Sequence, residues 1–244
     1  MLDNVNAIIK ARFDQVWAQI KAAGFSSDVH PEESKIRLEL PILAGKGQYI
    51  FDLKTTDVDN VVTHSLNRND VFVPNRLGVF VALKDANGVE TLFPYIPVND
   101  GTNPSMHAFG FQNANMNNLY AGYLDWRVDS TVALSAYPME KFHKVPRFQG
   151  SALLKSDDSI QLVGAQSEWS VDEAMELLIP KYTVAGTHDH KIEINFPAST
   201  LTFPVTSGYT AHLVLMMDGF LVKGGCQYKG GTGRNPFDEA VGQW

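Results

Sequence analysis

Seven apolar residues near the start of the chain, Val5, Ile8, Ile9, Phe13, Val16, Trp17 and Ile20, recur at three- and four-residue steps. That is the period of one helix face. Asp3 or Asn4 can cap the first turn and Gly24 can end the last, so an amphipathic helix is predicted over residues 1–24. Its other side carries Asn6, Lys10, Arg12, Asp14, Gln15, Gln19 and Lys21, which reads as a mixed, solvated face. The apolar stripe either packs on its own domain or docks on a neighbouring subunit, with Phe13 and Trp17 as candidate interface anchors.

Beyond a polar link the period changes to two. Ile36, Leu38 and Leu40 alternate with Lys35, Arg37 and Glu39 until Pro41 interrupts, the pattern of an edge or terminal strand. Q-Y-I-F-D-L (48–53) is the next strand, and residues 71–84 and 89–96 read as two strands joined by a tight Asn87-Gly88 turn in D-A-N-G. From Pro97 to Asn118 the chain is rich in Asn and Gly, which favour turns. Strands resume at L-Y-A-G-Y-L (119–124) and W-R-V-D-S-T-V-A-L-S-A-Y (126–137), followed by a polar connection from Pro138 to Asp158 that carries Pro146.

S-I-Q-L-V-G (159–164) reads as a short strand, and residues 170–179 as a helix with a capping box, Ser170 and Glu173, ended by Pro180. K-I-E-I-N-F (191–196), T-L-T-F-P-V (200–205) and T-A-H-L-V-L-M-M-D-G-F-L-V (210–222) are further strands, with Asp218-Gly219 expected to turn a second tight hairpin. Residues 224–244 are too glycine-rich for an ordinary core element and read as an extended arm. The whole pattern indicates a mainly β fold: an antiparallel, jelly-roll-like β-sandwich over residues 25–223, with the amino-terminal helix and one further helix.

Composition narrows the function. A net charge of −7 without a cluster of Lys and Arg argues against nucleic acid as the main partner. The single cysteine, Cys226, excludes an internal disulfide framework and a multi-thiolate zinc site. Charges interrupt the amino terminus where an export signal needs an unbroken apolar core, and no apolar run is long enough to span a membrane, so the chain is expected to be made soluble in the cytoplasm.

The clearest chemical candidate is T-H-D-H at 187–190. On a regular strand His188 and His190 share a face and can converge on one metal. The pair resembles the first metal-binding motif of cupins. That motif also needs a glycine six residues before the first histidine and a glutamate four or five after the second. Tyr182, Ile194 and Asn195 stand there instead. His30, His64, His107, His143 and His212 are scattered, so no third ligand is evident and no cofactor is expected. Asp57 and Asp59 lack the glycine and distal glutamate of a calcium loop, and K-G-G-T-G-R-N near the end lacks the Gly-Lys-Ser/Thr of a phosphate loop. No serine elbow is present, and Cys226 has no local base, so nothing marks the chain as an enzyme.

Aromatic residues are denser than the chemistry. Tyr120, Tyr123 and Trp126, with Tyr137, Phe142 and Phe148 beyond, suit the core, a subunit interface or a glycan-binding groove. The stretches L-N-R-N-D-V-F-V-P-N-R-L-G-V-F-V-A-L-K (66–84), L-Y-A-G-Y-L-D-W-R-V (119–128) and P-M-E-K-F-H-K-V-P-R-F-Q (138–149) resemble the structural proteins of bacteriophage particles, capsid subunits above all. The resemblance implies a virion protein that assembles with copies of itself or with other virion proteins, and it carries no catalytic residues. The alternatives are a carbohydrate-binding β-sandwich of a host-attachment protein and a cupin-like metal enzyme.

Overall fold

The computed structural model describes residues 2–22, 24, 29–53, 66–88, 90–93, 120–142, 147–154, 160–168, 171–179, 181–196 and 209–227. Helix α1 spans Leu2–Ala22. The strands are β1 (Glu32–Pro41), β2 (Gln48–Asp52), β3 (Val71–Asp85), β4 (Glu90–Phe93), β5 (Tyr123–Val128), β6 (Thr131–Pro138), β7 (Arg147–Leu154), β8 (Ile160–Glu168), β9 (Glu176–Leu177), β10 (Val184–Ala185), β11 (His190–Asn195) and β12 (Tyr209–Val222). One further helical turn, α2, covers Val171–Ala174.

Two antiparallel sheets form a sandwich. One has the order β1-β12-β3-β10, and β4 and β9 also pair with β3. Because β12 occupies one edge of β3 along its length, β10, β9 and β4 must share the other edge, at Val71–Phe72, Arg76–Leu77 and Val81–Lys84 in turn. The second sheet has the order β2-β11-β5-β6, and β7 pairs with β8 in a separate hairpin. Phe72, Leu77, Val79 and Val81 of β3, with Leu213, Leu215 and Met217 of β12, meet Phe51, Trp126, Ile192 and Ile194 of the second sheet in one buried core.

β3 and β12 read as nearly continuous apolar runs because both of their faces are covered. On the outer side Val16 and Ile20 of α1 bury Val71, Val73, Ala185 and Val222. Further along, Ala174 and Met175 cover Phe80, Ala82, Val214 and Met216. Full burial of a side chain such as Val16 or Ile20 is worth about 1.5–3 kcal/mol. Phe13 meets Phe220 edge-on with ring centroids 5.4 Å apart, and Trp17 stacks on His30 at 4.8 Å. The helix thus uses Phe13 and Trp17, its two candidate interface residues, against its own chain.

Several expectations are met. β1 is an edge strand, β2 and β11 run where the sequence placed them, and β3 and β4 form a hairpin in which the Gly88 amide donates to Asp85 O at 3.0 Å, with Gly88 at φ 80°.

Others need correction. Arg12 does not lie on a solvated face: it is only 7% exposed. Asp218-Gly219 makes no hairpin, because β12 runs through it with a register shift opposite Pro74–Arg76 of β3. Asn75 is the extra residue of that bulge, and Pro74, which has no amide to give the ladder, sits beside it. Residues 126–137 are not one strand but a hairpin turning at Asp129-Ser130. The polar connection 138–158 contains a short 3-10 turn at Met139–Phe142 and strand β7. The helix expected over 170–179 is a single turn. Met175 belongs to the outer cluster and Leu178 to the core between the sheets. A chain passing the sheet edge in extended form, as β9, reaches both sides, whereas a helix continuing outside would leave Leu178 there.

The strand expected at 200–205, the connection 97–118, Pro146, Ser170, Asp57, Asp59, His64, His107, His143 and the arm beyond Gln227 lie outside the described residues.

Candidate functional site

The T-H-D-H segment does not begin a strand at its first histidine. His188 N donates to Ala185 O at 3.0 Å, closing a turn, and β11 starts only at His190. Strand alternation therefore does not relate the two imidazoles. His190 is buried, 1% exposed, and lies edge-on to Trp126 at 6.3 Å, while His188 stands half-exposed at the surface. The shared strand face that would aim both at one cupin-like metal is therefore absent, because His188 lies in the turn before β11. Among the described residues no group of three or more His, Cys, Asp or Glu side chains is placed to hold a metal.

The partner of His188 comes from the β5–β6 hairpin. Asp129, at its tip, adopts a left-handed φ of 51°. Asp residues tolerate this conformation better than most. Asp129 Oδ2 lies 2.7 Å from His188 Nδ1, Asp129 Oδ1 accepts from Asp189 N at 2.8 Å, and Asp129 N donates to Asp189 O at 2.7 Å. The Asp189 amide first, and His188 second, hold the Asp129 carboxyl below its ordinary value. One carboxylate thus staples two loops that are 59 residues apart in sequence.

The same end of the sandwich gathers two more segments. Gly186 N donates to Asp70 O at 2.9 Å, Gly224 N to Asp70 Oδ1 at 2.8 Å, and Cys226 N to Asn69 O at 2.8 Å. The Cys226 thiol donates to Asp70 O at 3.1 Å, which gives it a structural role at the root of the glycine-rich arm. Chemically, this end offers a histidine held by a carboxylate, in a setting built from backbone hydrogen bonds.

The aromatic candidates divide sharply. Tyr120 and Trp126 are not surface residues. Tyr120 is buried with its hydroxyl donating to Val79 O at 3.3 Å, and burial pushes its phenol up. Trp126 is buried and stacks on Tyr182 at 5.0 Å. Phe142 is also in the core, and Tyr123 alone of the three named tyrosine and tryptophan anchors on β5 and its approach is exposed. The physical reason is strand phase: Leu124, Trp126 and Val128 point between the sheets, so Tyr123 and Arg127 point away from them.

A second cluster was not recognised from the sequence. Glu39, only 3% exposed, is held by Arg37 and Lys84, and Glu90 pairs with both of those cations. His212 lies against the same charges, and burial first, then Lys84, pushes its imidazole down despite Glu39 and Glu90. The hairpin register sets Lys84 opposite Glu90, so that half of the network follows from the D-A-N-G turn. Glu39 reaches it only through the pairing of β1 with β12, which sequence separation conceals. The network ties β1 to β3 and β4 across β12.

Comparison with protein-family models, with curated proteins and with solved structures finds no match to this chain.

Proposed function

We propose that the chain is a self-assembling structural subunit of a phage particle, a capsid-type protein of the virion built on a single jelly roll. The observation that carries the reading is the strand order. Take in sequence the eight strands of the paths β1-β12-β3-β10 and β2-β11-β5-β6: β1, β2, β3, β5, β6, β10, β11 and β12. The first pairs with the last, the second with the seventh, the third with the sixth and the fourth with the fifth. The ribbon then closes on itself through β12 with β3 and β11 with β5. Such nesting is what results when one long antiparallel ribbon is rolled up, and jelly rolls of this kind serve viral capsids, lectins and cupins.

Within that set the site geometry favours the structural role. A cupin-like enzyme needs His188 and His190 on one strand face, and only His190 lies on β11. A glycan groove built on Tyr120, Tyr123 and Trp126 loses two of its three aromatics to the core. The resemblance of residues 66–84, 119–128 and 138–149 to phage structural proteins supports the same choice.

Sedimentation velocity of the full chain from micromolar to millimolar concentration, with electron microscopy of the products, tests the proposal. Large, regular, concentration-dependent particles are expected. A monomer throughout that range overturns it. Point variants are better probes than removal of residues 1–23, because α1 covers part of the chain's own sheet.

A further inference from the structure

The outer faces of the two sheets differ. That of β1-β12-β3-β10 is covered by α1 and by Ala174 and Met175. On that of β2-β11-β5-β6 lie Ile50, Tyr123 and Val132, each 45% exposed, three of the five exposed large hydrophobic residues among those described. Strand pairing arranges its charges in rows. Lys191 and Arg127 are direct cross-strand neighbours, with Asp52 at the end of their row. Glu193 and Asp125 are neighbours in the next row, which Ile50 ends. The rows are about 7 Å apart, two residues along a strand.

We propose that this face is a two-fold contact with a second copy of the chain, in which the basic row of each copy lies on the acidic row of the other. The proposal rests on the self-assembly reading and names the surface used. A face-to-face contact between identical copies must be self-complementary. A two-fold axis running across the strands between the two rows sets Lys191 over Glu193 of the second copy and Arg127 over Asp125 of the second copy. An axis along the strands would set Lys191 against Arg127, like charge on like. Charge therefore selects one of the two simple arrangements. The pairing of Arg127 Nε with Glu193 Oε2 at 3.3 Å within the chain is compatible with it, since each group then has opposite charge on two sides. Ile50, Tyr123 and Val132 supply the apolar area that a rim of charges lacks.

The test is sedimentation equilibrium of the full-length chain and of Lys191→Glu, Glu193→Lys and the double exchange Lys191→Glu/Glu193→Lys, each checked for native circular dichroism and a cooperative melt. Tyr123→Arg, at an exposed position, serves as an independent probe if a charge variant fails to fold. Each single reversal, and Tyr123→Arg, is expected to weaken association by about tenfold or more, and the double exchange to restore most of it. If the wild type associates and the folded single variants associate equally well, the surface is wrong while self-assembly stands. A double exchange as weak as the singles overturns the row-on-row pairing. A wild type that stays monomeric at every concentration removes the self-assembly reading and this contact with it.

Discussion

Arg12 Nη1 donates to the main-chain oxygen of Asn75 at 3.2 Å, and Nη2 of the same guanidinium donates to Leu178 O. Asn75 is the bulged residue of β3, and its oxygen also accepts from Leu178 N at 2.9 Å. One buried cation on the helix therefore fastens a sheet irregularity and the chain that follows α2. Burial holds the Arg12 pKa below its ordinary value, so the charge is kept at a cost that the hydrogen bonds must offset.

Replacing Arg12 by Met is expected to lower stability by about 1.5–3 kcal/mol in a urea titration, the range for hydrogen bonds made by a charged group. Arg12→Lys should recover little of this, because an ammonium lacks the planar fork that spans two carbonyl oxygens. Full recovery by lysine would mean that charge rather than geometry is what the bulge requires.

Gly219 faces the same bulge from β12. A Cβ there would collide with Val73 O and sit 2.8 Å from Pro74 Cα, both main-chain atoms with little room to move. Gly219→Ala is therefore expected to cost about 1–3 kcal/mol, as overpacking does. A neutral result by thermal melting would show that the two central strands can separate locally without loss.

Ala136 has a left-handed φ of 49°, and its amide donates to Asp125 Oδ1 at 2.7 Å. The left-handed region costs a residue with a Cβ roughly 1–2 kcal/mol, and glycine's extra freedom in the unfolded chain returns part of that. Ala136→Gly should raise the denaturation midpoint, by about 0.5–1 kcal/mol in stability. Most glycine substitutions in strands act in the opposite direction, so a loss here would place the strain elsewhere.

The strands were legible where one face is wet: the alternation in β1, β2 and β11 carries its own phase. β3 and β12 were legible as strands, but their length and bulge were not. Asp-Gly marks a hairpin in isolation, and only the close approach of Val73 and Pro74 shows why glycine is needed at 219 in mid-strand. The segment 170–179 has a helical start and apolar residues enough for a helix, yet Met175 and Leu178 are required on opposite faces of a sheet, a demand that no local pattern expresses. Arg12 followed the polar side of α1 by spacing, but the orphan carbonyls of a bulge drew it inward. For the T-H-D-H site the deciding residue is Asp129, and its separation from His188 hides the pair from any reading of motif spacing.

His212 gives a pH dependence whose sign is fixed by its surroundings. Its imidazole faces Lys84, Glu39 and Glu90, with Thr210 Oγ1 3.2 Å from its Nε2, and the net effect lowers its folded pKa below the ordinary 6.5. In the unfolded chain the group takes up a proton near pH 6.5, while in the folded chain it resists until the pH is lower. The unfolded state thus binds more protons in that window, and stability falls as the pH drops from above 6.5 toward the folded pKa, then levels off. His212→Gln removes this component. The stability difference between wild type and His212→Gln, from urea titrations at pH values from 8 to 5, roughly the span over which histidines titrate, should move against the wild type as the pH falls through that window. The depressed carboxyl of Asp129 does not confound the comparison, because its contribution is lost only as the pH falls below its ordinary value of 3.8. A difference that is flat, or that favours the wild type as acid is added, would show that the carboxylates, and not burial and Lys84, govern this histidine.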